Sequence, residues 1–216
     1  MTLATIRAMQ LADSGFPSGV FAYSWGLETA LADGQLTGRS LADWVAVELR
    51  TRWHRFDRVA LAGGFRLTGA QLADWCKVID TLMPVDRARR ESTEAGDALF
   101  ASAKALRIDL DPGALAARAA GTGHFAVVHG AFLRACGLDM ANALATSAAS
   151  MARGAFSAAV RLGAAGAIAT QRDLLALAPL IAELATEPAP DALPSGFMPL
   201  SDLALMRPHA SRLFIN

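Results

Sequence analysis

Residues 140–169 read MANALATSAASMARGAFSAAVRLGAAGAIA, and alanine, serine and glycine dominate the run. These residue types favour helix or permit it, and their small side chains let neighbouring helices approach closely. The run is therefore expected to lie at the centre of a helical bundle, starting at Asp139. It is also the best candidate for a membrane segment, because the chain's mean hydropathy is +0.32. A spanning helix needs about 20 consecutive apolar residues. Residues 140–152 are hemmed in by Asp139 and Arg153, and residues 162–170 stop at Gln171, Arg172 and Asp173. No segment spans. The surplus apolar surface is expected to be covered by partner chains.

The composition of the 216 residues agrees with helices. Alanine occurs 47 times, aromatics make up 7% and tyrosine appears once, which argues against a β sandwich. With 53% hydrophobic and 19% charged residues the chain is not disordered as a whole. Twenty basic residues balance twenty acidic ones, so no global field favours nucleic acid or an anionic membrane. Cys76 and Cys136 form neither a disulfide framework nor a zinc pair. Together with the lack of a leader pattern, this leads to the expectation of a reducing cytoplasm.

Outward from the central run, helical punctuation recurs. Ser40 and Asp43 mark a start, and Leu41, Val45, Leu49, Arg52, Phe56 and Val59 form one stripe that Gly63 and Gly64 are expected to end. Leu72, Trp75, Cys76, Ile79 and Leu82 describe a shorter helix stopping before Pro84. Residues 85–106 read as an exposed helix, with Arg87 and Glu91 spaced for a weak ion pair. Asp111-Pro112 is a cap followed by proline at the first helical position. Gly121 and Gly123 break the chain before a helix over 124–135, Thr170 and Asp173 resemble a capping box, and Pro179 should kink the helix containing it. Residues 187–200 form a proline-rich connector and 201–216 a tail. The expected architecture is all-α: one domain over 1–216, a helical bundle with flexible N- and C-terminal segments.

Candidate chemistry is sparse. The two lysines, Lys77 and Lys104, lie outside any glycine-rich loop, which excludes a phosphate-binding loop. His124 and His129 are five apart and point about 140° apart on a helix, so buried histidines are expected rather than a metal site. Ser18 lacks the strand, acid and histidine of a nucleophile elbow, and reads as part of a turn. Glu28, Glu48 and Glu91 are scattered. No catalytic and no metal-ligating residues are assigned.

Residues 11–28, LADSGFPSGVFAYSWGLE, combine three glycines, a proline and four aromatics. They serve either as an aromatic-stapled turn or as a rigid recognition surface. Leu11, Asp13, Pro17, Gly19, Phe21, Tyr23, Ser24, Gly26, Leu27 and Glu28 resemble the N-terminal signature of the UreF urease accessory family. Further similarity follows in order: Arg87, Glu91, Ser92, Gly96 and Leu99; Gly123-His124-Phe125 with Val127, Val128 and Gly130; the run Ser157-Ala158-Ala159-Val160-Arg161-Leu162 with Gln171; and Met206-Arg207 with Ser211-Arg212-Leu213-Phe214. Residues 163–170 and 208–210 depart from the family pattern.

The resemblance implies an all-helical, non-catalytic scaffold that dimerises and binds UreD (also called UreH). The pair then recruits the GTPase UreG to insert nickel into apo-urease. No cofactor is expected to bind stably: the complex handles nickel, and UreG binds GTP. Neither nucleic acid nor membrane is expected as a partner. Partner contacts are expected at Phe21, Tyr23, Trp25, Glu28, Arg87, Glu91, Arg207, Arg212 and Phe214. The small-residue helix would serve as a weakly coordinating nickel passage or simply as tight packing. The other readings are a helical chaperone or regulatory module for another metalloenzyme and a small ligand-binding module.

Overall fold

The computed structural model describes residues 3–13, 15–18, 26–36, 40–188 and 192–195. Its elements are α1 (Leu3–Leu11), α2 (Leu27–Ala32), α3 (Leu41–Glu48), a π-helical stretch (Leu49–Asp57), α4 (Arg58–Arg66), α5 (Gly69–Leu82), α6 (Asp86–Ala105), α7 (Pro112–Ala119), α8 (Phe125–Ala135), α9 (Met140–Arg161) and α10 (Ala167–Thr186). There is no strand among the described residues, and the all-α expectation holds.

The bundle centres on α8, which α4 and α6 flank, while α9 carries α1, α2 and α10. Two glycines set the α4–α8 crossing. A Cβ on Gly64 would lie 2.1 Å from the Val127 carbonyl oxygen, and one on Gly130 would lie 2.2 Å from that of Leu61. The two backbones therefore touch where no side chain fits. Gly63 and Gly64 do not end the helix as the sequence suggested. The chain continues helically to Arg66, because Gly64 is needed inside the crossing and Gly63 makes room for the Trp75 indole.

The expected stripe is correct through Leu41, Val45 and Leu49, all buried. Beyond Leu49 the winding widens: the Arg58 amide donates to the Trp53 carbonyl, five residues back. A wider turn shifts the stripe. Trp53 and Arg58 face inward, whereas Arg52 and Phe56 are half-buried. Residues 85–106 are not the exposed helix expected of so charged a segment. Ala88, Ser92, Ala95, Leu99 and Ala103 of α6 are buried together with the charged Glu91.

Asp111 caps α7 as expected, accepting the Gly113 amide at 2.8 Å. The same oxygen accepts the Gly69 amide at 2.8 Å. Its second oxygen receives Arg134 at 3.3 Å, and Arg134 also donates to the Phe65 and Leu67 carbonyls at 2.8 Å each. One carboxylate thus ties together the ends of α4, α5, α7 and α8. The small-residue run is two helices, not one. Gly163, at φ +70, turns the chain between α9 and α10. Helix α10 begins at Ala167, so Thr170 lies in its first turn, donating to the Ala167 carbonyl at 2.8 Å instead of capping. It runs through Pro179 to Thr186.

Adding a methyl at the crossing should cost about 1–3 kcal/mol. Gly64→Ala and Gly130→Ala are each expected to lower the unfolding free energy by that amount, read as a lower denaturation midpoint at unchanged slope. Gly166→Ala, with open space around its Cα, should not. Chemical denaturation followed by far-ultraviolet circular dichroism checks this.

Candidate functional site

Two concavities carry the polar side chains of the bundle. The first is a chamber between the π-helical stretch, α8 and α9, with about 80 Å³ of free volume. Its walls include Trp44, Trp53, Phe125 and Met151, and its polar lining includes Glu48 and His129. The Trp53 indole donates to Ser147 Oγ at 3.1 Å, which fixes the floor. His129 stacks on Phe125, with ring centroids 4.8 Å apart, and its Nδ1 has no hydrogen-bond partner. Burial without a counter-charge lowers its pKa to about 4. The imidazole is therefore neutral at ordinary pH. Among the described residues no three His, Cys, Asp or Glu side chains converge on a metal position. The chamber offers isolated donors, not a ligand cage.

The second concavity is an open cleft of about 420 Å³ between α9 and α10, closed at one end by the loop after α1. Arg153, Ser157 and Arg161 line it from one face of α9, Gln171 comes from α10, and Asp13 from the loop. Arg153 donates to the Ala12 carbonyl at 2.8 Å, which fastens that loop to α9. Partial burial lowers the Arg161 pKa. On the described surface nearby, Ile168 and Leu175 are 78% and 76% exposed. The cleft thus combines two guanidiniums, a carboxylate and an amide on one open surface.

Of the nine side chains expected at partner contacts, Phe21, Tyr23, Trp25, Arg207, Arg212 and Phe214 lie outside the described residues. Glu28 is half-buried in the first turn of α2, which packs on α9. Arg87 and Glu91 form their expected pair at 2.8 Å, but Glu91 is only 4% exposed. Burial raises the Glu91 pKa against the pull of Arg87 and of Arg52. Such a pair costs desolvation, so it is not the weak surface bridge that the spacing suggested. His124 and His129 are both buried, as expected; His124 Nε2 meets Asp80 at 2.9 Å. Ser18 lies in a turn, its amide donating to the Phe16 carbonyl at 2.7 Å. Cys76 and Cys136 are free and buried, with thiol pKa values pushed up to about 12 and about 11. Sequence reasoning missed Arg153 as a site residue; its signal was the i, i+8 spacing to Arg161 on one helix face. No helix among the described residues is long and apolar enough to cross a membrane.

The described residues thus form an all-α bundle with an open polar cleft between α9 and α10. The family model for UreF matches residues 37–178. A Cereibacter sphaeroides protein named urease accessory protein UreF is 35% identical over 213 residues, covering 96% of this chain and 95% of its own. A second from strain KD131 of that species has the same identity and coverage. The protein of that name from Rhizobium leguminosarum bv. viciae is 36% identical over 107 residues, 47% of each chain. The chain belongs to the UreF family of urease accessory proteins.

The neutral His129 makes an acid-side prediction. Its folded pKa lies below the ordinary 6.5, so folding excludes a proton that the unfolded chain accepts. Its contribution to stability is full above pH 6.5 and declines as pH falls toward about 4, by on the order of 3 kcal/mol. In His129→Leu that part of the decline should vanish. Urea denaturation of both proteins from pH 7.5 to 4 measures the difference.

Proposed function

We propose that this chain is a non-catalytic scaffold that binds UreD (UreH) and recruits and modulates the GTPase UreG, so that nickel enters apo-urease. The observation that carries the reading is the α9–α10 cleft. Asp13, Ser157, Val160, Arg161 and Gln171 are residues through which the sequence resembles the family, and they line one concavity although they span most of the chain. A residue set needed only for packing would be buried. Here Val160, Arg161 and Gln171 are exposed, on a surface open to a partner. Glu28 sits on a helix packed against α9, so the N-terminal signature approaches the same element.

The chamber supports a second part of the mechanism. Nickel is cargo, and a borderline cation exchanges readily with imidazole and thiolate. A scaffold that caged it would retain it. The chamber presents the Glu48 carboxylate, the His129 imidazole and the Met151 thioether on separate elements, and both cysteine thiols are buried and held protonated. Gly154 and Ser150 of α9 line the same space, so the small-residue helix leaves room there. Ala158 is fully buried in the core. In this reading the chain works as a homodimer within the complex, with GTP bound by UreG alone.

Arg161→Glu should leave helical content unchanged and reduce co-purification of UreD and UreG at least tenfold, with a matching loss of nickel-dependent urease activation. Wild-type capture and activation by this variant would refute the cleft as the contact. Gly154→Leu tests the chamber separately: a folded variant that still captures both partners should activate urease poorly. Normal activation would rule out a passage there.

A further inference from the structure

The chamber between the π-helical stretch, α8 and α9 has an unbalanced lining. Its charged side chains are the carboxylates of Glu48 and Asp57 and the guanidinium of Arg52. Arg52 Nε donates to Asp57 at 3.4 Å, and the same cation acts on the Glu91 carboxyl of α6. Glu48, only 2% exposed, leaves the lining one negative charge in excess. The hydrogen-bonding groups lean the same way. His129 is 4% exposed and its Nδ1 has no hydrogen-bond partner, and Ser150 Oγ has none either. A neutral imidazole and a hydroxyl each offer an acceptor. The Trp53 indole, in contrast, already donates to Ser147 Oγ.

These features narrow the occupant. An anion would meet two carboxylates, and the guanidinium is already engaged by acid. A divalent metal ion would not be held, because no three His, Cys, Asp or Glu side chains converge among the described residues. A monovalent organic cation suits the excess charge, the acceptors and the rings of Trp44, Trp53 and Phe125, because aromatic rings attract cations. A cavity of about 150 Å³ holds benzene. The chamber's free volume of about 80 Å³ therefore limits the ligand to about four or five heavy atoms. We propose that the chamber binds a small primary alkylammonium ion. Its ammonium group donates to Glu48, His129 and Ser150, and its short alkyl stem lies against Met151 and the aromatic wall. The inference rests on the chamber alone and holds whichever partners the chain binds.

Saturation-transfer NMR of the full chain, titrated with propylammonium at constant pH and ionic strength, tests it. The wild type should bind with a dissociation constant of about 1 mM, which lies within the ceiling for so small a ligand. Propanol and propionate, close to it in size, should bind about tenfold more weakly or worse. Glu48→Gln keeps the shape of the side chain and removes its charge. It should weaken propylammonium about tenfold and leave propanol unchanged. If Glu48→Gln fails to fold, Gly154→Leu, which fills the chamber from α9, should abolish binding. No propylammonium binding in the wild type would overturn the proposal. So would equal binding of propanol or propionate, or undiminished binding in a folded variant.

Discussion

The backbone contact between α4 and α8 is the constraint on which the rest of the bundle depends. Glycine inside a helix costs about 1 kcal/mol relative to alanine, and this crossing uses it on both partners, at Gly64 and Gly130. That cost is offset by an approach so close that carbonyl oxygens occupy the places where Cβ atoms would sit. The contact fixes the depth of α8. Helix α6 then packs on α8 with a third close approach, Gly96 against the Gly123 carbonyl. With α8 locked, His129 and Phe125 are set at a fixed height in the chamber wall, opposite the Trp53 indole. A looser crossing would move the chamber as well as the core.

How much of this was legible in the sequence depended on whether the signal was local. Asp111-Pro112 announced α7 because cap and proline act within four residues, and the stripe through Leu41, Val45 and Leu49 obeyed the ordinary helical period. It weakened at Arg52 and Phe56, which are half-buried, and resumed at the buried Val59, because a π-helical stretch has a different period and no side-chain signature. Gly63 and Gly64 looked like a helix end because that is glycine's local preference; what they face, Trp75 and the Val127 carbonyl respectively, is set by other helices. The charges of α6 hid its buried face, since Arg87 and Glu91 looked like surface residues while Glu91 points inward. Of the candidate site, Arg161, Ser157 and Gln171 were visible as motif residues. Their convergence with Asp13 and Arg153 was not, because it depends on α1 returning to pack against α9.

The buried polar groups fall into two kinds. Asp111 and Arg134 are joints: every contact they make satisfies a helix end, and their desolvation is met by hydrogen bonds to backbone. His129 is different. A neutral ring without a partner at Nδ1 contributes no joint, and a leucine of similar size would fill the wall with less penalty. The same holds for Glu91 Oε2, which is buried without a hydrogen-bond partner. Groups kept at a cost to stability are most simply understood as groups kept for what they face. One faces the chamber, and the other lies in an element whose Ser92 lines it.

The π-helical stretch links these observations. A regular α-helix over 41–66 would advance each residue by about 100°, carrying Arg52 and Phe56 along the stripe of Leu41, Val45 and Leu49. Wider winding instead turns Trp53 inward to reach Ser147. It also brings Arg58, at the far end of the stretch, beneath the last carbonyls of α10. The chamber floor and the anchoring of the end of α10 by Arg58 are therefore products of one irregularity. A change that restored regular winding between Leu49 and Asp57 would misplace both at once. Whatever alters the winding at Trp53 must therefore also alter the grip of Arg58 on the last carbonyls of α10.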